Sequence, residues 1–131
     1  MTRLGTCCAI LWLLCQPAGA ATIGLPGGPT AEVASVAAGP LQCVMAALRA
    51  RGYPVRFVRG FGRGSVRGSL HPLGMALDVN QLARNRTRPR MPLDEVSMAA
   101  GCGAISGAAW RHADSGHFQV GGWSGLRRRH R

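Results

Sequence analysis

The sequence predicts a small α+β domain, and the first observation behind this prediction is a pair of alternating stretches. Residues 75–80 and 117–120 alternate between apolar and polar side chains, as strands with one buried face do. Asp78 lies on the polar side of the first stretch, and His117 lies on the polar side of the second. If the two strands are neighbours, these side chains project to the same face of a sheet.

The second observation is a helical pattern over residues 40–51. Pro40 suits the first turn of this helix, and Gly52 suits its end. A shorter helix is predicted over residues 92–100, and a short strand is predicted over residues 55–58. Four apolar residues of the first helix recur at i, i+3, i+4 and i+7 and therefore form one stripe: Leu41, Val44, Met45 and Leu48.

The chain divides into four predicted segments. The first has a positive start, an apolar run and a closing Ala-Gly-Ala, which together predict a secretory signal peptide. Its apolar run is shorter than the roughly 20 residues that a membrane-spanning helix needs. The next segment is rich in Gly and Pro and is expected to be flexible, with a short helix over residues 31–38. The segments are the signal peptide (1–20), the flexible N-terminal segment (21–39), a single domain (40–123) and a basic tail (124–131).

The cysteine positions predict one disulfide. Three of the five cysteines fall within the predicted signal peptide, which leaves Cys43 and Cys102. An even number of cysteines in an exported chain indicates a disulfide, and two free buried thiols are the alternative. Closing a loop of this size would stabilise the fold by about 4 kcal/mol in the chain-entropy view.

The charge of the chain is strongly positive. The formal net charge is +11, and all 16 positions held by Lys or Arg are Arg. Such a charge favours anionic partners, including cell-wall polymers, membrane surfaces and nucleic acid. Nucleic acid is disfavoured, because the chain carries an export signal and only three Trp, three Phe and one Tyr as stacking groups.

Three side chains are candidate ligands for one metal ion: His71, Asp78 and His117. Catalytic zinc usually takes three protein ligands of this kind and keeps a further position for water. Asp114 lies three residues before His117, where it could take a proton from the attacking water and later pass it to a leaving amine. The pattern therefore predicts a hydrolytic zinc site.

Two motifs carry a resemblance to a known family. Residues 69–78 read Ser-x-His-x-x-Gly-x-Ala-x-Asp, and residues 114–117 read Asp-x-x-His. Together they resemble the zinc D-Ala-D-Ala carboxypeptidase and L,D-endopeptidase family, which includes phage endolysins and bacterial extensin-like carboxy-terminal domains. The likeness extends over residues 55–122, about half of the chain. It implies a hedgehog-like or D-Ala-D-Ala-peptidase-like fold, in which an antiparallel sheet bears the zinc site and helices pack on one side.

The resemblance also implies roles for individual residues. The zinc ligands would be His71, Asp78 and His117. Asp114 would be the catalytic base, at a position where many members have Glu. The family uses an Arg upstream of the first His to stabilise an oxyanion or to hold a substrate carboxylate. Here Arg63 is the first candidate for that role and Arg59 is the second.

Five more residues are expected near the site. Ser69, Asn80 and Gln119 are candidates to orient the ligands by hydrogen bonds. Trp110 is expected to form a wall of the pocket or part of the core. His112 is expected at the surface or beside the ligands, in preference to being a ligand.

The function expected from this sequence is that of a monomeric, exported zinc peptidase that hydrolyses peptidoglycan stem peptides in the periplasm or outside the cell. Two alternatives stand beside it. One is a zinc-containing cell-wall binding or structural domain without catalysis, like some extensin-like or hedgehog-type proteins. The other is a secreted cationic protein that binds anionic surfaces and has only a structural metal site.

Overall fold

Two antiparallel sheets and two α-helices make up the part of the chain that the computed structural model describes, residues 19–64, 67–81 and 89–122. The first sheet pairs β1 with β2, and the second has the strand order β3-β4-β6-β5. The predicted α+β class is confirmed. The elements are β1 (Ala20–Gly24), β2 (Thr30–Ala34), α1 (Ser35–Ala50), β3 (Val58–Arg59), β4 (Ala76–Val79), α2 (Glu95–Gly101), β5 (Ile105–Ser106) and β6 (His117–Gln119), with short 3₁₀ turns at His71–Leu73 and Gly107–Ala109.

The central strands have the faces that their alternation predicts. In the antiparallel pairing of β4 with β6, Asp78 lies opposite His117 and Leu77 lies opposite Phe118. Leu77 and Phe118 are fully buried in the hydrophobic core. Strand β3 pairs with the other edge of β4 and sets Arg59 opposite Asp78. Three strands therefore contribute one polar row to the same face of the sheet.

Helix α1 packs on the core through the predicted stripe, but it begins earlier than predicted. Leu41, Val44, Met45 and Leu48 are all fully buried. The helix starts at Ser35, so that Pro40 lies inside it and not in its first turn. Proline lacks the N–H that would bond the carbonyl four residues back, which is the carbonyl of Val36. Val36 is 75% exposed, so this region of the helix borders solvent.

The N-terminal segment predicted as flexible is instead a β-hairpin that leads into α1. Strands β1 and β2 pair over five residues each, and Ile23, Ala31 and Val33 are buried in the core. The connecting Leu-Pro-Gly-Gly places a positive φ of 69° at Gly27 and is closed by a hydrogen bond from the Gly28 N–H to the Leu25 carbonyl. Proline followed by glycine at these positions is typical of a type II turn. The short helix predicted over residues 31–38 is also wrong over residues 31–34, because that part is strand β2.

The predicted disulfide between Cys43 and Cys102 is present, with a Cα–Cα distance of 5.5 Å. It joins α1 to the residue that follows α2, across 59 positions of the sequence. Disulfides of this kind are typical of proteins from oxidising compartments. Residues 1–18 of the predicted signal peptide, most of the Arg-rich stretch at 82–91 and the basic tail lie outside the described residues, whereas Ala20, the last residue of the predicted signal peptide, begins β1. Within the described ranges, no helix combines the length and apolarity that a bilayer crossing requires.

Replacing both Cys43 and Cys102 with Ser is expected to lower the free energy of unfolding by about 4 kcal/mol, because the unfolded chain gains the freedom of an open loop. Urea unfolding followed by circular dichroism measures this change. The wild type treated with a reductant should shift by a similar amount. An unchanged unfolding midpoint in the double variant would contradict a stabilising role for the disulfide.

Candidate metal centre

Three buried side chains converge at the polar row of the sheet: His71, Asp78 and His117. One ligand atom from each lies within 4.8 Å of the others. Asp78 Oδ2 is 3.1 Å from His71 Nε2, and Asp78 Oδ1 is 2.8 Å from His117 Nδ1. The 3₁₀ turn supplies the first histidine, and β4 and β6 supply the other two groups. This group could hold a metal ion.

The environment of His71 favours a cation between these side chains. His71 Nδ1 lies 2.7 Å from the carbonyl oxygen of Gly60. A carbonyl can only accept, so Nδ1 carries the proton and Nε2 of the neutral ring has a lone pair. Nε2 is buried, has no hydrogen-bond partner among the residues that the structure describes, and faces the carboxylate of Asp78. A lone pair directed at a carboxylate is stable only with a proton or a metal ion beside it, so the residues present fit a metal.

The ring of His117 has a similar arrangement. Its Nε2 lies 3.2 Å from Gln119 Oε1, and the amide nitrogen of Gln119 donates to the Gly121 carbonyl at 3.1 Å. This bond fixes the direction of the amide and makes its oxygen the acceptor for the Nε2 proton. Nδ1 is then the ring nitrogen that faces Asp78 and could bind a metal.

The charges at the site shift two pKa values in opposite directions. Burial alone would raise the pKa of the Asp78 carboxyl, but the hydrogen bond and charge of His117, and those of His71 when its Nε2 also carries a proton, outweigh burial and hold that pKa well below its usual range. Burial alone would lower the pKa of His117, but the hydrogen bond and charge of Asp78 outweigh burial and raise it. Without a metal, the pair therefore favours a protonated imidazole beside a carboxylate.

These shifts predict that the stability of the metal-free fold and its affinity for zinc change in opposite directions with pH. The raised pKa of His117 stabilises the metal-free fold below the unfolded value of about 6.5, and the lowered pKa of Asp78 stabilises it above about 3.9. The contribution of the pair is thus greatest between about pH 4 and pH 6.5 and is lost as pH rises through the pKa of His117. Zinc binding requires His117 to lose this proton. Zinc affinity is therefore expected to rise as pH rises through the pKa of His117.

Urea unfolding at pH 5.5 and pH 8, in chelator and in zinc, measures both effects. His117→Gln is the control, because this variant cannot gain the proton and should lose the pH dependence that the pair contributes in chelator. A wild type with the same pH dependence as His117→Gln in chelator would contradict the ion pair.

Of the two candidate arginines, the structure brings Arg59 to the site. Its Nε and Nη2 donate to Asp78 Oδ2 at 3.1 and 2.8 Å, while 40% of its side chain remains exposed. Arg63, the first candidate from the sequence, is exposed and is not among the residues that line the cavity. The structure therefore places the second candidate, Arg59, beside the three candidate ligands, and the role of Arg63 stays a prediction. Arg59 is the register partner of Asp78, whereas Arg63 belongs to the loop beyond the end of β3.

Asp114 lines the same cavity as the three candidate ligands. Its Oδ1 accepts a hydrogen bond of 2.8 Å from the side-chain amide of Gln81, which also donates to the Ser115 carbonyl. The Asp114 backbone lies close to Gly107: a Cβ added at Gly107 would be only 2.6 Å from the Asp114 carbonyl oxygen. Gln81 thus holds the carboxyl of Asp114, and Gly107 packs against the backbone that carries it.

The remaining candidates divide into those at the cavity and those away from it. Ser69 lines the cavity and its Oγ accepts from the His71 N–H at 3.4 Å. Trp110 also lines it, with its ring centroid 5.0 Å from that of His117. His112 is exposed. Asn80 does not orient a ligand: its side-chain amide instead bonds the Arg56 and Phe57 N–H groups, the Tyr53 hydroxyl and the Pro54 carbonyl.

Sequence reasoning missed two polar residues at this site, Gln81 and Glu95. Gln81 continues the chain just after β4, and its position next to the alternating stretch was the only available signal. Glu95 falls within the helix predicted over residues 92–100, where an acid in the first turn suits the helix dipole, but it is only 4% exposed and bonds the loop before β6. A buried acid can be recognised only once its tertiary partners are known.

Comparisons with known proteins found no family model, no curated protein and no solved structure that matches this chain. The resemblance to the zinc D-Ala-D-Ala peptidases therefore depends on the two sequence motifs alone.

Proposed function

We propose that this protein is an exported zinc peptidase that hydrolyses peptidoglycan stem peptides, of the D-Ala-D-Ala carboxypeptidase or L,D-endopeptidase type. One observation carries the proposal: a buried His-Asp-His group shares a cavity with a carboxyl group and a guanidinium that are not themselves in the ligand set. A metal site that only stabilises a fold is usually closed by four protein ligands. Three ligands beside an acid are typical of catalytic zinc.

His71, Asp78 and His117 would hold the metal through Nε2, the carboxylate and Nδ1. When bound, zinc supplies a Lewis acid for the scissile carbonyl and lowers the pKa of water to about 7. Gly60 and Gln119 orient the two rings by accepting the protons of their other nitrogens.

Asp114 acts as the general base in this proposal. Its Oδ1 is bonded to Gln81, so Oδ2 is the oxygen that takes the proton of the attacking water and returns it to the leaving amine. Arg59 is partly exposed at the cavity and can hold a developing oxyanion or a substrate carboxylate. The ring of Trp110 packs beside His117 and covers one side of the site.

The disulfide and the predicted signal peptide support export to the periplasm or beyond. The excess of arginine would favour anionic cell-envelope polymers as further partners of a monomeric protein.

A second candidate, a cell-wall binding or structural domain without catalysis, is favoured by one contact. Arg59 donates two hydrogen bonds to Asp78 Oδ2, so the carboxylate already has a cationic partner. With a proton on His117, both oxygens of Asp78 would have a cationic partner, as in a structural ion-pair site, and only Nε2 of His71 would still need a proton or a metal ion.

Incubation of the zinc-loaded protein with a pentapeptide ending in D-Ala-D-Ala tests the proposal, with mass spectrometry of the products. Loss of one or two D-Ala residues, or an internal cut, is expected; the activity should disappear with a chelator and return with zinc. A protein that binds zinc but leaves this peptide and purified peptidoglycan intact would instead favour the binding domain.

A further inference from the structure

A buried acid that the proposed reaction does not use lies behind the site. Glu95 is the first residue of α2 and is only 4% exposed. Its Oε1 accepts from Ser106 Oγ at 2.9 Å and from the Gly116 N–H at 2.7 Å, and its Oε2 accepts from Ser115 Oγ at 2.7 Å. A carboxylate is costly to bury unless both oxygens are bonded, and here both are.

Two of the three donors belong to the turn that presents the functional groups. Ser115 and Gly116 lie between Asp114 and His117. Gly116 has a φ of 87°, and its carbonyl accepts from the Val79 N–H of β4 at 2.8 Å. The backbone of Gly116 is therefore held by Glu95 through its N–H and by β4 through its carbonyl.

The opposite side of the turn is bonded by Gln81. Its amide donates both to Asp114 Oδ1 and to the Ser115 carbonyl. The His117 N–H also donates to the Asp114 carbonyl at 3.1 Å, which joins the ends of the turn to each other. Displacing the turn would thus move the candidate ligand and the candidate base together.

We infer that Glu95 is a positioning residue, which fixes the turn at 114–117 from the side of α2 so that His117 reaches the metal. The inference rests on the metal site of the proposed function and does not depend on which substrate is cleaved. Residues that orient metal ligands from behind commonly change metal affinity or activity by about 10- to 100-fold.

The test measures the zinc dissociation constant of the full chain by competition with a chromophoric chelator. Glu95→Ala is expected to weaken zinc binding by about 10- to 100-fold. Glu95→Gln is expected to retain most of the affinity, because the amide oxygen can accept from Ser106 and Gly116 and the amide nitrogen can donate to the Ser115 hydroxyl. Ser115→Ala removes the hydroxyl that donates to Glu95 Oε2 and serves as the test if Glu95→Ala does not fold.

Two control variants separate positioning from stability. Asp94→Ala changes the neighbouring acid, which forms a surface ion pair with Arg51, and it should leave zinc affinity unchanged. Met98→Ala removes a buried apolar side chain of the same helix, and it should lower the melting temperature without changing the affinity of the folded protein.

Folded Glu95→Ala or Ser115→Ala protein with wild-type zinc affinity would overturn the inference and leave the proposed function standing. A loss of affinity in Met98→Ala equal to that in Glu95→Ala would also overturn it, because general loosening of α2 would then suffice. A wild type that binds no zinc would overturn the proposed function and the inference together.

Discussion

Asp114→Asn is expected to lower the turnover of a stem peptide by about 10²- to 10⁴-fold while leaving one zinc per chain. The asparagine keeps the shape of the side chain and an oxygen that can accept from Gln81. It cannot take a proton from water at neutral pH, so only the base function is removed. Steady-state kinetics and elemental analysis of the same samples measure the two quantities.

Asp94→Asn is the matched control for this change. Asp94 is an exposed acid of the same size that bonds Arg51 on the surface, away from the cavity. This variant should retain wild-type turnover. If Asp114→Asn hydrolyses the peptide at the wild-type rate, Asp114 is not the base, and the reaction must use another group of the cavity.

Zinc is expected to stabilise the wild type by about 2.7 kcal/mol when its free concentration is 100 times the dissociation constant. For a domain of this size the melting temperature should rise by roughly 10 to 20 °C. His71→Ala should lose this shift, because it removes a buried ligand atom that has no other hydrogen-bond partner. Thermal unfolding by circular dichroism with and without zinc measures the effect.

His112→Ala is the control for nonspecific zinc binding. His112 is exposed and is not among the residues that line the cavity, so this variant should keep the full zinc-dependent shift. Equal shifts in the wild type and in His71→Ala would place the zinc elsewhere on the chain and contradict the assigned centre.

The parts of the site that follow from local periodicity could be predicted from the sequence. Alternation places Asp78 and His117 each on the polar side of its own strand, and the pairing of β4 with β6 then brings the two side chains together. The apolar stripe of α1 likewise follows from the periodicity of the helix alone. Arg59 required the register of β3 against β4, and loop residues such as Arg63 have no periodicity from which a position can be derived.

Other features depended on contacts that a sequence pattern does not contain. Glycine and proline at residues 24–29 indicate a turn as readily as a flexible segment, and only the burial of Ile23 and Val33 decides between the two. Asn80 follows an alternating strand but adopts a φ of 55°, which turns its amide toward residues 53–57. The burial of Glu95 required α2 to pack beside the turn before β6.

The pairing of Asp78 with His117 also disfavours a shifted register between β4 and β6. A slip of β6 by one residue against β4 would exchange the two faces of the strand, sending the imidazole into the apolar interior and the ring of Phe118 to the polar cavity. The core and the cavity thus select the same alignment of these short strands, which have few backbone bonds of their own. The three ligands come together only when β4 and β6 pair in this register. A bound ion would therefore stabilise the correct pairing and no other.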